Sequence, residues 1–230
     1  MFSSVVKMND LTISPIAYIR NGFADKFGIP RQNIRESRIE SRIVFTETFR
    51  VAEALRGIEG YSHLWLLWGF HNNRRAEWSP TVRPPRLGGN RRVGVFATRS
   101  PIRPNPIGLT AVRLLRVEKT GEGMVLVVAG ADMQDGTPIY DIKPYIAYAD
   151  AIPNARSGFV DEVDFPTLEV EWGSIHPSVS RNEWEEILRQ DPRPAYQNDS
   201  ERMYHITYKG EEIGFCVDGS RLIVCAVSRD

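Results

Sequence analysis

A chain of 230 residues, 42% hydrophobic and 25% charged, has an ordinary globular composition and room for one domain or two. No stretch approaches the roughly 20 apolar residues that span a bilayer, and residues 1–20 lack a basic segment followed by an apolar core, so neither membrane anchor nor secretory leader is expected. Lys plus Arg and Asp plus Glu both number 29, which excludes a uniformly basic binder. The only cysteines, Cys216 and Cys225, read as two small core residues, and their scarcity points to the cytoplasm.

In chain order, residues 13–19 alternate apolar and polar like a half-buried strand, and 39–45 form a second candidate. Residues 49–56 predict a short amphipathic helix ended by Gly57. Strands follow at 63–70, 93–98, 109–117 and 124–131, separated by glycine turns. That order lacks the strand–helix alternation of a parallel doubly wound sheet. The expectation is a mainly β, α+β protein with a barrel-like, non-Rossmann domain over residues 1–150. A linker, 151–174, and a small α+β unit, 175–230, complete it. In that unit Ser180 and Glu183 predict a capping box opening a helix to about Arg189. Residues 203–208, 212–217 and 221–227 then read as strands, the last two joined at Asp218-Gly219.

Charge is unevenly spread. Between residues 83 and 117 stand eight arginines (83, 86, 91, 92, 99, 103, 113 and 116) and no Asp or Glu. A planar guanidinium pairs two-fold with phosphate and stacks on bases, so a one-sign arginine stretch reads as a phosphate footprint. The plainer reading is that several of these arginines pair with acids elsewhere in the fold. No P-loop, G-x-S-x-G, H-E-x-x-H, zinc-spaced cysteine pair or dinucleotide fingerprint is present, so no metal is expected. Two loops rich in Arg, Pro and Gly, 78–90 and 99–108, flank one short strand. A third segment, 132–145, packs three carboxylates, Lys143 and two tyrosines. There Asp141 and Lys143, two apart on an extended chain, share a side, which suits an ion pair or a ligand clamp.

These segments carry a resemblance. Arg83-Pro-Pro-Arg86-Leu-Gly-Gly-Asn90, Gly94-Val-Phe-Ala-Thr-Arg99-Ser100, Arg103-Pro-Asn-Pro-Ile-Gly108 and Asp135-Gly-Thr-Pro138, followed by Asp141-Ile-Lys-Pro-Tyr145, resemble the TrmO family of tRNA (adenine-N6)-methyltransferases. Tyr61-Ser-His63-Leu-Trp65 and Asp191-Pro-Arg-Pro-Ala-Tyr196 match its longer bacterial members. The resemblance covers nearly the whole chain. It implies an N-terminal β-barrel, a smaller C-terminal domain and a homodimer. It also implies methyl transfer from S-adenosylmethionine to N6 of threonylcarbamoyl-adenosine, position 37 of tRNA, usually a threonine tRNA.

Residue by residue, the family's cofactor contacts fall on Asn33, Ile34 and Arg35, on His71 and Asn72, on Arg99 and Leu109, and on Ala129, Gly130, Ala131 and Asp132. The chain departs from the family at Asn33-Ile34, where relatives tend to carry Pro-Gly, and at Asn72, where glutamine is commoner. Methyl transfer from a sulfonium is mainly a matter of positioning. The carbamoylated N6 is protonated and weakly nucleophilic, so a general base is expected among Asp135, Asp141 and His71. Tyr145 would orient or stack on the base, and Asn105 would hydrogen-bond the adenine or carbamoyl group. Arginines 83, 86, 91, 92 and 103 are assigned to tRNA phosphates, and Lys143 to the threonyl carboxylate. Two rivals remain at this stage: a non-catalytic tRNA-binding barrel, and a methyltransferase of the same fold with another substrate.

Overall fold

The computed structural model describes residues 11–24, 28–29, 37–72, 77–84, 87, 91–162, 167–193 and 199–229. Six antiparallel strands pair in a closed ring. They are β1 (Ala17–Arg20), β2 (Glu40–Phe45), β3 (His63–Gly69), β6 (Ile107–Thr120), β7 (Gly123–Ala129) and β8 (Pro138–Pro144). The ring order is β1-β2-β7-β6-β3-β8, and the register of Ala17 with Ile139 closes it. Alternation decides which side chains enter: Ile19, Ile43, Leu64, Leu66, Val112, Leu126 and Ile139 are all fully buried and form one core. Side chains fill so narrow a barrel, which leaves its mouths and walls for chemistry. A two-stranded ribbon, β4 (Thr81–Val82) with β5 (Val93–Gly94), stands beside it.

The second unit is a four-stranded sheet in the order β10-β11-β12-β9: β9 (Glu169–Glu171), β10 (Tyr204–Tyr208), β11 (Glu211–Asp218) and β12 (Arg221–Arg229). The helix α2 (Arg181–Leu188) covers one face, burying Trp184, Ile187 and Leu188 against Tyr208, Ile213, Phe215 and Leu222. Phe23 and Ile39, from the connection between β1 and β2, enter this same core. Lys209 N–H donates to Gly22 O (3.0 Å), and Arg38 N–H donates to the Glu186 carboxylate (2.9 Å). The small unit thus borrows core from the first.

Several expectations change. Residues 49–56 form no amphipathic helix: the 3₁₀ turns Glu47–Phe49 and Ala52–Leu55 hold no fully buried residue and are separated by an extended Val51, and the half-buried Leu55 is too little packing to sustain an α-helix. The expected strand 93–98 ends at Gly94 and passes into a 3₁₀ turn, Val95–Ala97. The expected linker supplies β9, parallel to β12, and the buried Leu168 and Trp172. Another short helix, α1 (Ala147–Asp150), follows β8. Ser180 is the N-cap of α2 but makes no side-chain cap hydrogen bond. Glu183 does not reach back either; its carboxylate takes the Lys209 ammonium at 2.9 Å. Finally, Cys216 is half-buried and Cys225 exposed. Core side chains on β11 are the odd-numbered ones, and a bulge beside Phe215 puts Cys225 on the open face, Sγ 3.7 Å from Cys216 Sγ.

Candidate active site

One mouth of the barrel gathers the ends of β3 and β7 and the starts of β6 and β8. Phe70 N–H donates to Pro106 O (3.0 Å), tying the exit of β3 to the entry of β6. After β7, Gly130 takes φ 86°, a left-handed turn that swings Ala131 and Asp132 across the opening. Asp132 is held from inside the barrel: the Trp68 indole N–H donates to the Thr110 hydroxyl (3.0 Å), which donates to Asp132 Oδ1 (2.6 Å). Gly108 permits that chain, because a Cβ there would lie 2.2 Å from the Trp68 ring.

Beside Asp132, Asn72 donates its amide N–H to Gln134 Oε1 (2.8 Å), and Gln134 donates in turn to Ala24 O (2.6 Å). Thr137 donates its hydroxyl to Gln134 O (2.7 Å). That proton is therefore committed, so Thr137 Oγ1 faces His71 Nδ1 at 3.4 Å as an acceptor. A neutral imidazole bonded that way carries its proton on Nδ1 and its lone pair on Nε2. Asp135 lies at the turn into β8, accepting the Asn21 N–H (2.9 Å) with its Oδ2 3.6 Å from Arg20.

Asp141, Lys143 and Tyr145 occupy a different surface. Across β6, β3 and β8 the register aligns Leu109 with Leu67 and Asp141, then Ala111 with Trp65 and Lys143. Cross-strand partners share a face, and Leu64, Leu66 and Trp68 point inward, so these rows form the outer wall. Asp141 accepts the Ile142 N–H (2.9 Å) and pairs with Lys143 (2.8 Å), the ion pair that their spacing suggested. Tyr145 packs on Trp65, ring centroids 5.6 Å apart. Asp135 and Tyr145 thus stand at opposite ends of β8, whose seven residues span roughly 23 Å. One subunit does not bring them together.

The arginines divide. Arg116 pairs with Glu40 (2.7 Å) and Glu118 (2.7 Å), and its hydrogen bonds hold the Glu40 carboxyl below the usual range. Arg113 donates to Ser37 O (3.1 Å), and Arg91 lies 3.8 Å from Glu162. Arg103 folds back onto Thr98 O (3.0 Å) and Ser100 O (3.3 Å), while Arg92 donates to Thr81 Oγ1 (2.9 Å). Arg83, Arg99 and Asn105 are exposed. Asn33, Ile34, Arg35 and Arg86 lie outside the described residues.

The mouth therefore unites His71, Asn72, Asp132 and the backbone of 129–132. It adds four residues that sequence reading had missed: Thr110, Gln134, Thr137 and Asn21. Thr110 carried a signal, a hydroxyl at an inward phase of β6 beside Leu109. Gln134 carried one too, an amide between two aspartates. The donor set is carboxylate, amides and strand-end backbone, with no group of three or more metal-ligating side chains among the described residues. Such a set suits the amino-acid and ribose groups of a nucleoside cofactor.

The family model of the tRNA-methyltransferase O N-terminal domain matches residues 18–151, and that of the TrmO C-terminal domain matches residues 178–230. The chain belongs to the TrmO family. A tRNA (adenine(37)-N6)-methyltransferase of Escherichia coli is 37% identical over 222 residues, covering 90% of this chain and 88% of its own. One of the same name from Eikenella corrodens is 45% identical over 172 residues, 73% of this chain and 97% of its own. A crystal structure of TrmO from Pseudomonas aeruginosa superposes with a TM-score of 0.75 at 32% identity, covering 96% of this chain and 100% of its own. As a TrmO member the chain is an S-adenosylmethionine-dependent methyltransferase. No helix among the described residues is long and apolar enough to cross a membrane.

Proposed function

We propose that this enzyme transfers the methyl of S-adenosylmethionine to N6 of threonylcarbamoyl-adenosine at position 37 of a threonine tRNA, in the cytoplasm. The reading rests on similarity along the chain to relatives named tRNA (adenine(37)-N6)-methyltransferase. The observation in the structure that supports it best is the mouth, where His71, Asn72 and Asp132 meet around Thr110, Gln134 and Thr137. Bound S-adenosylmethionine would supply an electrophilic methyl group on a sulfonium. Asp132, Asn72 and the backbone of 129–132 would hold it.

The proton on the carbamoylated nitrogen goes to His71. Its Nε2 lone pair is set by the Thr137 contact, whereas Asp135 is engaged with Arg20 and Asn21, and Asp141 with Lys143 and Ile142. Lys143 and Tyr145, on the outer wall and away from the mouth within one chain, reach a site only across a homodimer, where Lys143, exposed beyond its pair, takes the threonyl carboxylate. The exposed Ile107 and Leu109, two apart on β6, are surface such an association would cover.

The test is incubation with S-adenosylmethionine and threonine tRNA with or without the threonylcarbamoyl group, followed by nucleoside mass spectrometry. One added methyl on the modified tRNA alone is expected; equal methylation of both would overturn the substrate. Light scattering at twice the chain mass is expected for the dimer.

A further inference from the structure

The largest aromatic side chains left in solvent on the arginine-bearing segments are Trp78, 49% exposed, and Phe96, 74% exposed. They lie against each other, ring centroids 6.4 Å apart and planes within 24° of parallel. They flank the ribbon: Trp78 precedes β4, Phe96 follows β5, and Val95 N–H donates to Pro80 O (3.0 Å) across its base. That bond holds the two legs, and so the two rings, side by side.

We propose that Trp78 and Phe96 form a stacking platform for an unpaired nucleobase of the tRNA loop that carries the target adenine. This subsite is separate from the methyl-transfer mouth and rests on the tRNA reading above. The reasoning is one of composition and charge. Two preordered rings present a flat π surface with little entropy left to lose. Every base has a π face, so stacking tolerates any sequence, and proteins that bind single-stranded nucleic acid combine such rings with cations for the backbone.

The cations are adjacent. Arg83 is exposed, and Arg92 is steadied on Thr81 Oγ1 at 2.9 Å. The nearby acids are Glu77, next to Trp78, and Glu162, 3.8 Å from Arg91. The chain that leaves Phe96 runs through Arg103 and Asn105 into β6, where Pro106 O accepts the Phe70 N–H at the mouth. Platform and mouth are thus ends of one connection, suited to a loop with one base in the active site and a neighbour stacked beside it.

Binding of a threonine tRNA transcript to the full chain, measured by filter retention over a range of salt, tests this. Trp78→Ala and Phe96→Ala should each weaken binding roughly 5- to 150-fold. The slope of log affinity against log salt should stay unchanged, since every cation that meets a phosphate is still in place. KM for tRNA should rise, with S-adenosylmethionine affinity and elution volume as in the parent. Phe96→Tyr should restore binding and Phe96→Leu should not, because leucine keeps apolar contact but has no π face. Parental tRNA affinity in both alanine variants would overturn the platform while leaving the methyltransferase reading intact. A shift of both to a smaller species would overturn it too, assigning the rings to a contact between copies of the chain. Failure of the parent itself to retain tRNA would overturn both readings.

Discussion

Asp132 at the barrel mouth and Glu211 in the second unit are both fixed through an indole, and the comparison separates their uses. Glu211 is 1% exposed and takes every nearby donor: Trp184 Nε1–H at 2.7 Å, Ser178 N–H at 2.6 Å and Val179 N–H at 3.2 Å. Asp132 is half-buried, one step removed from its indole, with Thr110 between. A charge enclosed by donors on all sides ties α2 and its leading loop to the sheet. A charge steadied at an opening is organised for something that arrives. Asp132 is presented at an opening and Glu211 is enclosed, so substitutions around the first should cost turnover and substitutions around the second stability.

The largest effect should come from the rim. His71→Ala should lower kcat roughly 10²- to 10⁴-fold, the usual contribution of a general base, with the melting temperature unchanged. Asp135→Asn and Asp141→Asn should retain most of the turnover. Nucleoside mass spectrometry under single-turnover conditions checks this, and a silent His71→Ala would move the base to one of the two aspartates.

Next comes Glu211. Burial pushes its carboxyl up, but the hydrogen bonds from Trp184, Ser178 and Val179 outweigh this and hold it below the ordinary value. A carboxyl held low when folded stabilises fully above the unfolded value of about 4.3, and the gain is lost as pH falls through the lower folded value. Glu211→Gln should therefore cost about 2–3 kcal/mol at pH 7, since one oxygen becomes a donor facing donors. The gap from the parent should narrow as the pH drops below about 4. Denaturant melts across pH measure it, and a constant gap would mean that the charge contributes nothing.

Much of this was legible in the chain. Residues 63–70, nearly a continuous apolar run, became β3; 109–117 became the core of the longer β6. The mouth was half legible, because His71, Asn72 and 129–132 belong to recognisable motifs, whereas Thr110 and Thr137 matter only through partners 22 and 66 residues away. β8 was seen as an extended polar segment and not as the strand that closes the barrel. Its inward residues, Ile139 and Ile142, are spaced by a bulge opposite Leu67 and Trp68, so strict alternation fails there. The cysteines misled for the same reason, since the bulge in β12 sends Cys225 outward. Arginine count also overstated the footprint: Arg113 and Arg116 are occupied within the protein.

That division among arginines gives a smaller effect. Arg83→Ala, at an exposed position, should weaken tRNA binding and reduce the salt slope by about 0.7–0.9 for each phosphate no longer neutralised. Arg116→Ala should leave the slope alone and change stability little, since exposed pairs contribute little. Equal slopes for both would erase the distinction between paired and exposed cations.

The smallest change in folding should come from Lys143. Its pair with Asp141 is short, 2.8 Å, but the two side chains are 63% and 43% exposed, so water competes for both charges. Replacement by alanine should alter stability by less than about 1 kcal/mol. The same exposure leaves the ammonium free to exchange Asp141 for an arriving carboxylate, and the threonyl group of the proposed substrate carries one. Lys143→Ala should therefore spare the fold and selectively lower kcat/KM for the threonylcarbamoylated tRNA, bringing it towards that for a carbamoyl substrate built on a residue without a free carboxylate. If kcat/KM stays the same for both, the ion pair is wall structure and the carboxylate is recognised elsewhere; if both fall together, Lys143 positions the tRNA as a whole and does not read the modification.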